Sequence, residues 1–327
     1  MKIGLTFDLK TTYLQQGFSH EEVAEFDSEE TIAGIESTLN ELGYQTERIG
    51  NIVELTQALV SGKCWDLVFN IAEGYYGIGR EAQVPALLDA FRIPYVFSDP
   101  MVLSLTLHKA MAKHVIRGNG IPTAAFVVVK NEKDLENINL EYPLFIKPVA
   151  EGTGKGISQK SLVTNRMDLE LNAKELLDKF KQPVLVEEYL PGREFTVGIT
   201  GTGNEAAPCG IMEVIVYGKI EEQVYSLQNK EEYESRVAYS IPEKSITEYC
   251  YDVALRSWNA LECRDGGRVD LRLDKNGVPN FIEVNPLAGL NPIHSDLPIL
   301  CKLNGISYKD LIGMIMQSAL KRINNHP

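Results

Sequence analysis

Residues 268–286, RVDLRLDKNGVPNFIEVNP, alternate apolar and polar side chains on both sides of a short turn, a pattern that an antiparallel hairpin satisfies. Val269, Leu271 and Leu273 point to one side and leave Arg268, Asp270 and Arg272 on the other; in the return strand Ile282 and Val284 oppose Phe281, Glu283 and Asn285. Asp274 to Gly277 supplies the turn chemistry, and Pro279 suits an edge or bulge position. With an even-length loop, Asp270 and Glu283 share a face, either opposite one another at roughly 5 Å between Cβ atoms or diagonal at about 7–8 Å. Either spacing lets two carboxylates share a hard cation with ligands at about 2.0–2.1 Å, the kind of site in which Mg²⁺ also binds substrate phosphates. Charged hairpins more commonly end as solvated faces with a surface salt bridge. Here the strands are otherwise apolar, and the polar set is two acids and an amide flanked by two arginines, which favours a site.

What such a site can bind is narrowed by charge. The 327 residues carry a net charge of -13, which argues against nucleic acid or an anionic membrane as partner, so any phosphate must be held locally. The 44% hydrophobic content supports sizeable cores, and the length suggests two or three domains. Five scattered cysteines, Cys64, Cys209, Cys250, Cys263 and Cys301, form no C-x-x-C pair and fit reduced thiols in a cytoplasm. No apolar run reaches the roughly 18 residues of a membrane span. A cytoplasmic protein is expected.

Residues 1 to about 105 alternate strand and helix, which implies a small parallel sheet with crossover helices. Residues 28–43 predict an amphipathic helix with Ile32, Ile35, Leu39 and Leu42 on one stripe and Asp27 or Ser28 as its cap. Asp99-Pro100 starts another helix running to about Gly118. From residue 121 to about 191, four short strand candidates surround a helix at about 165–181, an α+β pattern; GISQKSLV is one of the strands. Beyond residue 192 come a strand, a polar loop through residues 221–244, a long helix, the hairpin and a terminal helix. The expected domains are 1–105, 106–191 and 192–327.

Three further stretches bear on chemistry. Lys147 ends the apolar run PLFI before AEGTGKGIS, where the amides of Gly152, Thr153, Gly154 and Gly156 can form an anion-binding concavity, although a Gly-rich loop alone is as readily an ordinary turn. In VLVEEYLPGREF, a purine could bond the main chain of residues 188–190 while an acid accepts from a ribose hydroxyl; a solvated acidic turn is the bland alternative. Lys109 lies on the helix after Pro100 and gains interest beside Lys147, whereas His108 and His114 are assigned no role.

In this order, LTLHKAMAK, FIKPVAEGTGKGIS, VLVEEYLPGREFTVGI, GGRVDLRL and FIEVNPLAGLNPIHSDLP resemble the ATP-grasp superfamily, and most closely the D-alanine:D-alanine ligases, from about residue 105 onward. The resemblance implies an ATP-grasp fold of α/β and α+β parts, with a Rossmann-like amino-terminal domain and the nucleotide between the central and carboxyl-terminal domains. It implies that Lys109 and Lys147 contact ATP phosphates and that Glu151 to Gly156 form a mobile lid. Glu187, Glu188 and the backbone near Leu190 would hold adenine, and Glu194 the ribose. Asp270, Glu283 and Asn285 match ligands of Mg²⁺, for which Mn²⁺ can substitute, and Arg268 matches the arginine that stabilises the acyl phosphate and the tetrahedral intermediate. Lys230 resembles a loop lysine near the γ-phosphate, and Ser295 lies near the position that binds the second substrate's carboxylate.

The implied reaction joins small amino acids through an acyl phosphate and releases ADP and phosphate; a homodimer is compatible with it. The departures fall on substrate-side positions: TFDLKTTYLQQGFSHEEVAEFDSEET shows no clear counterpart of the family's Ser-x-Glu glutamate, the His-Gly segment becomes NIAEGYYGIGREAQVP, Lys-Tyr becomes Lys230-Glu231, and a lid serine becomes Thr153. Two alternatives follow: a ligase joining an amino acid to a non-peptide acid in specialised metabolism, and a non-catalytic ATP-binding regulatory module. A histidine phosphoenzyme is disfavoured, because no His sits within the Gly-rich loop.

Overall fold

A computed structural model describes residues 1–216 and 237–325. Strands β1 (Lys2–Thr6), β2 (Gln45–Gly50) and β3 (Leu67–Asn70) form a parallel sheet in the order β2-β1-β3. Its crossovers are helices α2 (Glu29–Glu41), capped by Ser28, and α3 (Ile52–Val60), capped by Asn51 in a reciprocal capping box with Glu54. A short α1 (Lys10–Gln15) precedes them, and α4 (Gln83–Ala90) follows.

The helix expected from Pro100 to Gly118 is two helices, α5 (Pro100–Leu107) and α6 (Lys109–Gly118). His108 leaves the helical region at φ -84°, ψ 87°, and its side chain accepts from the amide of Met111. The Lys109 amide consequently donates to Val149 O at 3.0 Å, outside its own helix. This break turns Lys109 toward the strand that precedes the glycine-rich loop.

Strands β4 (Phe126–Val129), β5 (Leu144–Pro148), β6 (Leu162–Val163) and β7 (Val184–Glu188) make an antiparallel sheet in the order β4-β7-β5-β6, packed on α7 (Arg166–Phe180). Of the strand expected at GISQKSLV, only two residues pair, because Ser158 caps a single tight turn over Gln159–Ser161. A five-stranded antiparallel sheet, in the order β10-β9-β8-β11-β12, contains β8 (Glu194–Thr200), β9 (Ala207–Val216), β10 (Val237–Ser240), β11 (Gly266–Leu273) and β12 (Pro279–Asn285). The stretch expected as a loop therefore ends in a strand at Val237–Ser240; Lys230 lies outside the described residues. Helix α8 (Lys244–Ala260) covers this sheet, and α9 (Asp296–Leu303) and α10 (Tyr308–Asn325) complete the chain's elements.

One core joins Ile3, Leu5 and Phe69 of the parallel sheet and Ile35 and Leu39 of α2 to Leu311, Ile312 and Ile315 of α10, and continues to Met212 of β9. No described helix is long and apolar enough to cross a membrane.

Candidate active site between two sheets

The β11–β12 hairpin pairs Arg268 with Asn285 and sets Asp270 directly opposite Glu283. One step further the ladder slips: Leu271 pairs with Phe281, so Ile282 is the extra residue of a bulge. Simple alternation expected Phe281 beside Glu283 and Ile282 in the core. The bulge reverses this, burying Phe281 completely with Val269, Leu271 and Val284 and placing Ile282 with Glu283 on the site face.

Two cavities meet at this hairpin. The smaller, about 100 Å³, is lined by Lys147, Gly154, Glu187, Glu188, Leu190, Glu194 and Asp270, with apolar walls from Phe145, Ile157, Tyr189 and Ile282. The larger, about 350 Å³, is lined by Lys109, Gly152, Thr153, Asn285 and Ser295. Arg268 and Glu283 line both.

Ion pairing fixes the charged groups. Glu187 lies between Lys147 at 2.9 Å and Lys113 at 2.8 Å, with Lys113 fully buried. Burial pushes its carboxyl upward, but the two ammonium groups outweigh this and hold it at about 2. Sequence reasoning passed over Lys113, although its i,i+4 spacing from Lys109 places both on one face of α6. Lys109 Nζ donates to Glu151 O at 2.5 Å and lies 3.4 Å from Glu283.

Arg268 donates to Asp270 and lies 3.6 Å from Asp296; burial opposes its charge, yet the surrounding carboxylates raise its pKa above the ordinary value. Asp270 also accepts from Thr196 Oγ1 at 2.9 Å and from Asn285 Nδ2 at 3.4 Å. Burial lifts its carboxyl above the usual range despite Arg268, and Glu283 and Asp296 add to the rise.

Beside the smaller cavity, the amides of Glu188 and Tyr189 donate to Ala125 O and Pro143 O at 2.9 and 3.0 Å. In the main chain of residues 188–190, where a purine was expected to bond, only the Leu190 amide has no such backbone partner among the described residues. Arg272 holds Glu194 at 3.2 Å and the Tyr189 hydroxyl at 2.9 Å.

The glycine-rich loop is partly committed. Gly152 N donates to Glu25 Oε1 at 2.5 Å, while the Glu151 carboxylate engages Lys155 and Gln182, each at 2.7 Å. Gly156 lines neither cavity; at φ +76° it lies behind the loop, where a Cβ would meet Pro148 at 2.5 Å. Thr153 adopts φ 52°, a left-handed conformation uncommon for a β-branched residue. Ser295 precedes α9, and its Oγ accepts from Asn291 N at 3.0 Å.

The amino-terminal wall of the larger cavity contains Glu25, Asp27, Glu73 and Glu81. Sequence reasoning found no clear glutamate here, yet Glu25 reaches the cavity and the loop together. Arg80 pairs with it at 2.8 Å. Burial lifts Asp27 and Glu81 to about 7 and Glu73 well above the carboxylate range.

Known proteins are similar to this chain in sequence and in fold. The D-ala D-ala ligase C-terminus family model matches residues 115–317. The uncharacterized protein y4sG of Sinorhizobium fredii is 32% identical over 259 residues, 78% of this chain and 75% of its own length. A D-alanine--D-alanine ligase of Bordetella petrii is 30% identical over 277 residues, 83% of this chain and 81% of its own length. The crystal structure of the D-alanine--D-alanine ligase from Bacillus anthracis superposes with a TM-score of 0.76 at 22% identity, covering 100% of both chains. With the family model spanning more than half of its residues, this chain belongs to the D-alanine–D-alanine ligase family and has its ATP-grasp fold.

Proposed function

We propose that the chain is a Mg²⁺- and ATP-dependent ligase that activates one small amino acid as an acyl phosphate and couples it to the amine of a second. The observation that carries this reading is the shared wall: Arg268 and Glu283 face both the smaller, partly apolar cavity and the larger chamber.

In this reading, Phe145, Ile157, Tyr189 and Ile282 enclose the purine, the Leu190 main chain bonds its edge, and Glu194 accepts from the ribose. Glu187 acts through charge, keeping Lys147 and Lys113 fixed, rather than by touching adenine alone. Lys147 and Lys109 neutralise phosphate oxygens, and the Thr153 and Gly154 amides close over them. Lys230, outside the described residues, is assigned the γ-phosphate by resemblance.

Asp270, Glu283 and Asn285 would hold Mg²⁺, and their chemistry fits it: hard oxygen donors, two of them directly opposed across one ladder. With a divalent cation held by these three residues, the site would gain positive charge to offset that of the phosphates. Arg268 then faces the carbonyl and stabilises its oxyanion, while Ser295 binds the second substrate's carboxylate. A carboxylate is a poor electrophile because its leaving oxygen is too basic; phosphorylation supplies a better leaving group.

A screen of D- and L-amino acids, singly and in pairs, tests the proposal by ADP release with mass detection of products. The expected result is amino-acid-dependent ADP and a dipeptide. ADP with no amino-acid dependence, or none above background, rejects it; a non-amino-acid product moves the substrate to another acid.

A further inference from the structure

We propose that Arg80 is a positioning residue that seals the reaction chamber by fixing the base of the lid. Its guanidinium comes from the amino-terminal unit and is only 7% exposed, as is the side chain of its partner Glu25. Nη1 donates to Ala150 O at 2.9 Å, and Nη2 donates to Glu25 Oε2 at 2.8 Å. The other oxygen of Glu25 accepts from Gly152 N at 2.5 Å. One arginine thus holds residue 150 directly and residue 152 through Glu25, at the point where β5 gives way to the lid.

Two further polar groups of this backbone are tied from other directions. Ala150 N donates to Gln182 Oε1 at 2.7 Å, and Glu151 O accepts from Lys109 at 2.5 Å. Arg80 and Glu25 together carry the hold across to the amino-terminal wall of the chamber, and Arg80 fixes the Glu25 carboxylate that does so. Lys155 is no substitute: it lies 3.9 Å from Glu25 and is engaged by Glu151 at 2.7 Å. Two buried charges with well-formed bonds define one geometry, and losing one leaves the other uncompensated.

The consequence concerns water, and it rests on the ligase reading above. Amine attack on the acyl phosphate forms a C–N bond, breaks the bond from the acyl carbon to the phosphate-bearing oxygen, and releases phosphate and a proton. Water attack breaks the same bond, forms a C–O bond, and returns the carboxylate with phosphate and a proton, so that ATP is consumed without amide. A lid base held by Arg80 favours the first course by excluding water.

The test compares the wild-type chain with Arg80→Gln and Arg80→Lys, using Mg²⁺, ATP and whichever amino acids elicit ADP. The ratio of ADP to amide should stay near one in the wild type and rise several-fold in Arg80→Gln, with partial restoration in Arg80→Lys. A ratio unchanged in a folded Arg80→Gln overturns the proposal whatever happens to the rate. Hydrogen exchange in residues 150–156 with bound ATP reads the lid without turnover: faster exchange in Arg80→Gln is expected, and unchanged protection overturns the role. If no amino acid elicits ADP from the wild type, the ligase reading falls, and with it the water-exclusion consequence; exchange still decides whether Arg80 holds the lid.

Discussion

Lys113 and Glu187 form an ion pair at 2.8 Å with their side chains 0% and 4% exposed. Lys113 also donates to Thr123 Oγ1 at 2.8 Å and to Phe281 O at 3.3 Å, so one ammonium joins α6, the nucleotide cavity and the bulged strand. Replacing Lys113 with Met leaves Glu187 with Lys147 alone, while Thr123 Oγ1 and Phe281 O keep only the 2.8 Å bond between themselves. The expected loss is about 3 kcal/mol, at the low end for a broken buried pair. Urea unfolding checks it, and an unchanged midpoint at constant slope would count against the network.

Stability should depend on pH through Asp27. Burial, then Asp8, raises its carboxyl from 3.8 to about 7, against Lys10 and a hydrogen bond from Thr31. A raised folded-state pKa means that its contribution is fully present below about pH 4 and is lost as pH rises through about 7. Asp27→Asn escapes that ionisation cost, so relative to the wild type it should gain about 4 kcal/mol between pH 4 and pH 8. Thermal unfolding of both proteins across this range measures the difference; parallel curves would refute the assignment.

Catalysis should separate from nucleotide binding at Arg268. Arg268→Lys keeps a cation between Asp270 and Asp296 but removes the planar fork that can span both a carboxylate and an oxyanion. The turnover number should fall about 10²–10³-fold while ATP affinity changes little. Equal losses in both would make Arg268 a nucleotide-binding group instead.

At Gly289 a methyl group would fit only if the Ser295 hydroxyl moved aside. A Cβ there would lie 2.8 Å from Ser295 Oγ. Gly289→Ala should therefore displace the Ser295 hydroxyl and raise KM for the second amino acid roughly tenfold, about 1.4 kcal/mol of binding, with KM for ATP unchanged. Steady-state kinetics with each substrate varied in turn gives the answer, and a change confined to ATP would contradict it.

The parts written in local pattern were readable from the sequence. Alternation put Asp270 and Glu283 on one face, opposite or diagonal, of which the structure has the opposite arrangement, and the cap Asp99-Pro100 marked the start of α5. The bulge was not foreseen, because strict period-two reading carries one phase through a strand, although the adjacent apolar pair Phe281-Ile282 is the trace a phase slip leaves. The break at His108 has no propensity signal, since it depends on Val149 O capturing the Lys109 amide from another sheet. Glu25 and Arg80 escaped for a related reason: they meet residues 150–152 only after three segments far apart in sequence have docked.

The core shared by the parallel sheet and α10 imposes an order on synthesis. During translation β1, α2 and β3 emerge long before Leu311, Ile312 and Ile315, the side chains that complete their common core. On the nascent chain the first sheet must wait with an unsealed apolar face for a partner made more than two hundred residues later. Aggregation during that interval is the vulnerability this architecture carries.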